Sequence, residues 1–166
     1  SYADATFNDY PGAQCYPTQT TDGCNANINS SLPGFVGSFN ARGYKLPLSA
    51  RFTATLGAEY AAALSDTLEG QIGVGYYHRS PQSVGFGAPF TIPTWDTFDV
   101  RAGLKADKWS INLFCKNCTN QMRPISIGSD GGDANPVGTA PPVLTLNQRF
   151  SFESVRTIGV RFGVNF

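Results

Sequence analysis

VRTIGVRFGVNF, residues 155–166, alternates from end to end. Ile158, Val160, Phe162, Val164 and Phe166 fall on one side of an extended chain. Thr157, Gly159, Arg161, Gly163 and Asn165 fall on the other. Successive side chains of a strand point to opposite faces, so the pattern predicts one apolar face and one polar or small face. The length matches the roughly 9–11 residues of a strand that crosses a bilayer. An apolar outer face, a polar inner face and a closing aromatic residue suit a lipid-facing barrel strand. The other reading is the edge strand of a soluble sandwich. It gives no reason for Arg161 at mid-strand or for Phe166 at the end.

The same alternation recurs upstream. Residues 51–62 set Phe52, Ala54, Leu56, Ala58 and Tyr60 against Thr53, Thr55, Gly57 and Glu59. After a turn at Ser65, Asp66 and Thr67, residues 69–80 set Ile72, Val74 and Tyr76 against Gly73, Gly75, Tyr77 and Arg79. Residues 95–106 set Phe98, Val100, Ala102, Leu104 and Ala106 against Thr97, Asp99, Arg101, Gly103 and Lys105. Asp107 and Lys108 predict a two-residue hairpin turn, and 109–116 then place Trp109, Ile111 and Leu113 outward with Ser110, Asn112 and Lys116 inward. Residues 1–7 read as the tail of a further strand. Segments 8–50, 81–94 and 121–154 read as long loops rich in Pro, Gly, Asn, Ser and Thr. Long and short connections therefore alternate, which in an up-and-down sheet puts all long loops at one end. Outer-membrane barrels have this asymmetry. The mid-strand charges Glu59, Arg79, Asp99, Arg101, Lys105 and Arg161 share the inward face. Facing lipid, each Arg or Lys costs roughly 2–4 kcal/mol at mid-bilayer; facing a wet lumen it costs little. Tyr60, Tyr76, Trp95 and Trp109 lie near strand ends, where aromatic girdles are expected.

Composition narrows the class. The 166 residues suffice for one domain, and 12 basic residues against 12 acidic ones exclude the basic footprint of a nucleic-acid binder. The 18 Gly, 11 Pro and 13% aromatic residues, with a single Met, are a β-and-loop composition. No run of about eighteen apolar residues occurs, so no spanning helix is expected; barrel strands, half polar by construction, remain open. The chain opens on Ser1 in a strand-like segment without an export signal, which predicts a processed or partial chain.

Cys15 and Cys24 lie nine apart in a polar loop, and a disulfide is expected there in an oxidising compartment; free thiols or half a metal site are the alternatives. Cys115 and Cys118 form a C-x-x-C at the end of a strand, not at a helix start, which argues against a thioredoxin-like motif. No second ligand pair has the spacing of a zinc site. A rim disulfide is expected, and it requires the strand to turn or bulge at Asn117, because positions i and i+3 of a regular strand face opposite ways. His78 is the sole histidine and has neither triad nor ligand partners. Gly73-Val74-Gly75 sits within a strand, so it reads as relief of crowding on the inner wall rather than a phosphate loop. Asp130-Gly131-Gly132-Asp133 lacks the ligand spacing of a calcium loop and reads as an extracellular loop. No hydrolase elbow, HExxH or Walker motif occurs, so neither enzyme nor cofactor is expected.

Four segments carry a family resemblance: YADATFNDYPGAQCY (2–16), FNARGYKLPLSARFTATLGAEY (39–60), WSINLFCKNCTNQ (109–121) and SVRTIGVRFGVNF (154–166). Their order and spacing make the chain resemble the C-terminal portion of a TonB-dependent outer-membrane receptor of the sphingomonad type. WSINLFCKNCTN resembles the family's penultimate strand, with Cys118 at a position where the family commonly has Leu. The last strand, with Ile158, Val160, Phe162, Val164 and Phe166 outward, resembles the closing strand read by the barrel-assembly machinery.

The resemblance implies an all-β, antiparallel up-and-down transmembrane barrel segment, about six strands of a barrel of roughly 22. It implies that 1–166 is one part of a barrel domain, with the plug and the TonB-engaging segment elsewhere in a longer chain. The expected partners are outer-membrane lipid, the rest of the receptor chain, the TonB complex through the N-terminal part, and the barrel-assembly machinery. The expected location is the bacterial outer membrane, long loops extracellular, and the expected activity is import of a siderophore, vitamin, glycan or other small ligand. Tyr16, Phe35, Phe86, Phe90 and Asp130 are the loop positions expected to face that ligand. The rival expectation is a small autonomous β protein that oligomerises into a barrel, or a secreted sandwich that binds a partner.

Overall fold

The computed structural model describes residues 1–28, 30–86, 91–130 and 145–165. Eleven strands occur among them: β1 (Ala13–Gln14), β2 (Ser38–Phe39), β3 (Thr53–Ser65), β4 (Leu68–Arg79), β5 (Gln82–Ser83), β6 (Thr91–Ile92), β7 (Trp95–Ala106), β8 (Trp109–Lys116), β9 (Ser126–Asp130), β10 (Thr145–Arg149) and β11 (Thr157–Val164). One 3-10 turn, Phe152–Ser154, precedes β11. The fold is all-β and antiparallel. Five long strands form one sheet in the order β11-β8-β7-β4-β3. Asp66-Thr67 and Asp107-Lys108 are the two-residue links that join neighbours directly. The longer connections leave the other end, where Thr53, Arg79 and Trp95 lie in register and Lys116 faces Thr157. This is called the long-loop end below.

Register sorts the side chains into two faces. One row crosses all five strands as Tyr60, Ile72, Ala102, Leu113 and Val160. The adjacent row, on the opposite face, runs Glu59, Gly73, Arg101, Phe114 and Gly159. The alternation thus survives from strand to strand, and each expected mid-strand charge lies on the polar face. The apolar face is uncovered: Leu113 is 54% exposed and Val160 62%. The buried apolar cluster of Ala13, Cys24, Phe39 and Ala41 lies in the first long connection, away from the sheet.

The five-stranded sheet is open, with β3 and β11 as its edges. Other expectations need correction. Residues 1–7 form no strand; they follow the chain before β3 through single bridges, Tyr2 with Phe52 and Thr6 with Lys45. Each long connection carries a small hairpin: β1–β2, β5–β6 and β9–β10. Two-residue strands are too short to register as periodicity, and β9 and β10 are interrupted by turn-rich sequence. Trp95 is no outward girdle residue. It pairs with Arg79 on the polar face, where only 8% of it is exposed.

Both disulfides are formed. Cys15–Cys24 spans 6.1 Å between Cα atoms, and Cys115–Cys118 spans 5.6 Å. The second is possible because β8 stops at Lys116 and Asn117 takes a left-handed conformation, φ 47°. Asn tolerates that region better than most residues. Its own side chain holds the bend: Nδ2 donates to the carbonyls of Gln121 and Ser154, and Oδ1 accepts the Gln121 N–H.

Candidate functional site

The polar face of the sheet is the candidate site. Its glycines are seats for long side chains of the next strand. A Cβ on Gly73 would lie 2.7 Å from Arg101 Nε, and one on Gly159 would lie 2.5 Å from Phe114 Cζ. Gly103 is likewise overlain by Asn112 and by Gln71, whose Nε2 stands 2.9 Å from where a Cβ would be. The side chains therefore lie flat along the wall rather than projecting from it. Arg101, laid over Gly73, reaches across to pair with Glu59 through Nη2, and Gln71 donates to Asn112 Oδ1. Both contacts join strands that are not neighbours, so they brace the face across the sheet.

Toward the long-loop end the same face opens into a hollow of about 570 Å³. Tyr77, Trp95, Phe114 and Phe152 line it together with Lys116 and Arg161. β4, β7, β8 and β11 each contribute, and the 3-10 turn supplies Phe152, which is 96% exposed. Asp99 lies on the same wall, its carboxylate accepting the backbone N–H of Asn117 at 2.8 Å, and Glu153 also lines the hollow. The arrangement offers aromatic surface, charge of both signs and water access. Among the described residues no group of three or more His, Cys, Asp or Glu side chains could hold a metal ion.

The expected ligand-facing residues are scattered. Phe86 packs against Phe7 at 5.2 Å and Tyr10 at 5.5 Å, over the disulfide cluster of the first connection. The backbone N–H of Tyr16 donates to the buried Gln19 in the same connection. Phe35 is partly exposed, folded back over Gly37. Asp130 ends β9 opposite Thr145. Phe90 lies outside the described residues, as do Gly131, Gly132 and Asp133 of the acidic loop and the terminal Phe166. The outward residues Ile158, Val160, Phe162 and Val164 of β11 lie on the apolar face as the alternation predicts. The hollow itself was missed, because Phe152 sits outside any periodic segment and Trp95 read as a girdle residue.

A second polar group lies on the apolar face. The Tyr76 hydroxyl donates to Asp96 Oδ1 at 2.6 Å, and His78 Nδ1 lies 2.7 Å from the same oxygen. All three are close to the long-loop end, and His78 also packs on the Phe52 ring at 5.6 Å. The lone histidine is thus satisfied locally.

Among the described residues no helix is long and apolar enough to cross a membrane, which leaves strands untouched by that criterion. Comparison of the chain with protein-family models, with curated proteins and with solved structures finds no match, so a functional reading stands on the two-faced sheet and its hollow.

Proposed function

We propose that the chain forms the C-terminal wall of a transmembrane β-barrel in the bacterial outer membrane, as part of a TonB-dependent receptor that imports a small nutrient. One observation carries this reading. A sheet five strands wide leaves its apolar face uncovered while its mid-strand charges gather on the other face. In water such a face far exceeds the apolar patches that soluble monomers tolerate. In a bilayer it is the outer wall of a barrel, and the charged face lines the lumen. The clustering of long connections at one end agrees with extracellular loops.

The open edges favour completion by other strands of the same receptor. Unpaired edges do not persist in lipid, where each free backbone group is costly. A ring made of copies of this chain meets a directional obstacle. Five antiparallel strands leave β3 and β11 running the same way, so copies would join by a parallel pair. Up-and-down barrels close antiparallel.

Fractionation of source cells tests the proposal. The protein should stay with outer membranes through an alkaline wash, with a parent mass several-fold above 17.8 kDa, and should retain the periplasmic domain of TonB on co-purification. Recovery in the soluble fraction without detergent overturns the barrel. Membrane retention without TonB binding leaves the barrel and removes the import.

A further inference from the structure

The hollow on the polar face holds two cations without partners. Lys116 and Arg161 line it, and neither makes an ion pair or side-chain hydrogen bond among the described residues. Behind them Arg79 lies over the Trp95 ring at 5.0 Å. Arg79 Nε and Nη2 and Trp95 Nε1 are shut from solvent with no acceptor among the described residues. Neither carboxylate of this wall pairs with Lys116 or Arg161 among the described residues: Asp99 accepts from the Asn117 backbone, and Glu153 also lines the hollow. Two cations and two carboxylates thus line the hollow, with no ion pair between them among the described residues.

The remaining surface is aromatic. Tyr77 meets Trp95 edge to face, with ring centroids 6.4 Å apart, and the tip of the Phe114 ring covers Gly159. Phe152 stands almost wholly in solvent at the other side. Burial of such a ring against a ligand ring recovers apolar area now wet. The volume lies within the range of roughly 300–1,000 Å³ typical of small-molecule sites.

We infer that this hollow binds a flat aromatic carboxylate. The ring lies among Trp95, Phe114 and Phe152, and the carboxylate is held by Lys116 and Arg161. An Arg fork matches carboxylate geometry, and ionised hydrogen bonds are about twice as strong as neutral ones. The inference rests on the lumen reading of the polar face and adds a ligand class to it.

The test uses the full-length protein in detergent from its source membranes and fluorine NMR with two probes, 6-fluoro-2-naphthoate and its neutral primary amide. Saturable broadening is expected for the carboxylate, with the amide weaker by about ten-fold or more, since a charge-assisted pair is lost. Lys116→Gln with Arg161→Gln should cost the carboxylate about ten-fold and leave the amide unchanged. Phe152→Ala, at an exposed position with no role in packing, should weaken both probes alike. Equal affinity for the two probes, or a double variant that binds as well as the parent, overturns the ligand class. Outer-membrane retention is scored separately on the same preparation. Retention without discrimination overturns this inference alone, whereas discrimination by a protein that needs no membrane overturns the barrel reading.

Discussion

Gly75 and Gly159 look alike in sequence, each a glycine on the polar side of an alternating strand, yet their surroundings differ. A Cβ at Gly75 would meet only Asp99 Cβ, at an ordinary 3.8 Å. A Cβ at Gly159 would meet Phe114 at three ring atoms, the nearest at 2.5 Å. Gly75→Ala should therefore be neutral or slightly stabilising, since Ala loses less backbone freedom in a strand than Gly. Gly159→Ala should lower stability by about 1 kcal/mol, because the ring must leave its seat. The midpoint of heat-induced mobility change on electrophoresis compares the two; equal midpoints would remove the seating argument. A second residue-scale expectation concerns Tyr44, whose hydroxyl donates to Asp22 Oδ1 at 2.7 Å. That hydrogen bond, helped by burial and by the negative charge of Asp22, raises the phenol above its ordinary 10.0. Only the protonated phenol donates, so the contribution is whole below pH 10 and is lost as pH rises through the folded value. Limited proteolysis of segment 8–50 should show opening above about pH 10. In Tyr44→Phe that alkaline step should be missing.

The first long connection behaves as an element with its own small core. Ala13, Cys24, Phe39 and Ala41 are its buried members, too few to hold a chain of that length without the Cys15–Cys24 bond. Closing so short a ring is worth roughly 2–3 kcal/mol by chain entropy. Replacing both cysteines by Ser should make segment 8–50 protease-sensitive while the five-stranded sheet stays resistant, as peptide mapping would reveal. Joint digestion of loop and sheet would mean that the two are one cooperative unit. The sheet was legible in the sequence because alternation writes both faces of a strand at once, and a strand such as β7 repeats it over twelve residues. The hairpins β1–β2 and β5–β6 were not, since two residues carry no period. The need for a bend at Asn117 followed from the Cys115–Cys118 spacing, but not its network of hydrogen bonds, which joins nearby Gln121 to Ser154 from just before β11. The hollow was hidden for a like reason: its aromatic residues come from separate strands and a turn, and only register brings Tyr77, Trp95 and Phe114 to one face.

For the whole molecule, the question is which solvent the apolar face meets, and one pair of substitutions answers it. Leu113 sits at the middle of the sheet, between Ala102 and Val160, and is 54% exposed on the apolar face. Ala61 is paired with Gln71 on the polar face and is also exposed. If lipid covers the apolar face, Leu113→Lys places an ammonium near mid-bilayer and should cost roughly 2–4 kcal/mol, while Ala61→Lys projects into a wet lumen and should cost little. If water covers both faces the order changes. Leu113→Lys then removes an exposed apolar group from an aggregation-prone surface and should be neutral or improve solubility. Urea unfolding of the full-length protein in lipid vesicles separates the two cases, because they predict opposite ranks for the same substitutions. A Leu113→Lys variant as stable as the parent, with better detergent-free solubility, would sink the transmembrane reading. A loss confined to Leu113→Lys would support it through the energetics of one face, independently of any ligand.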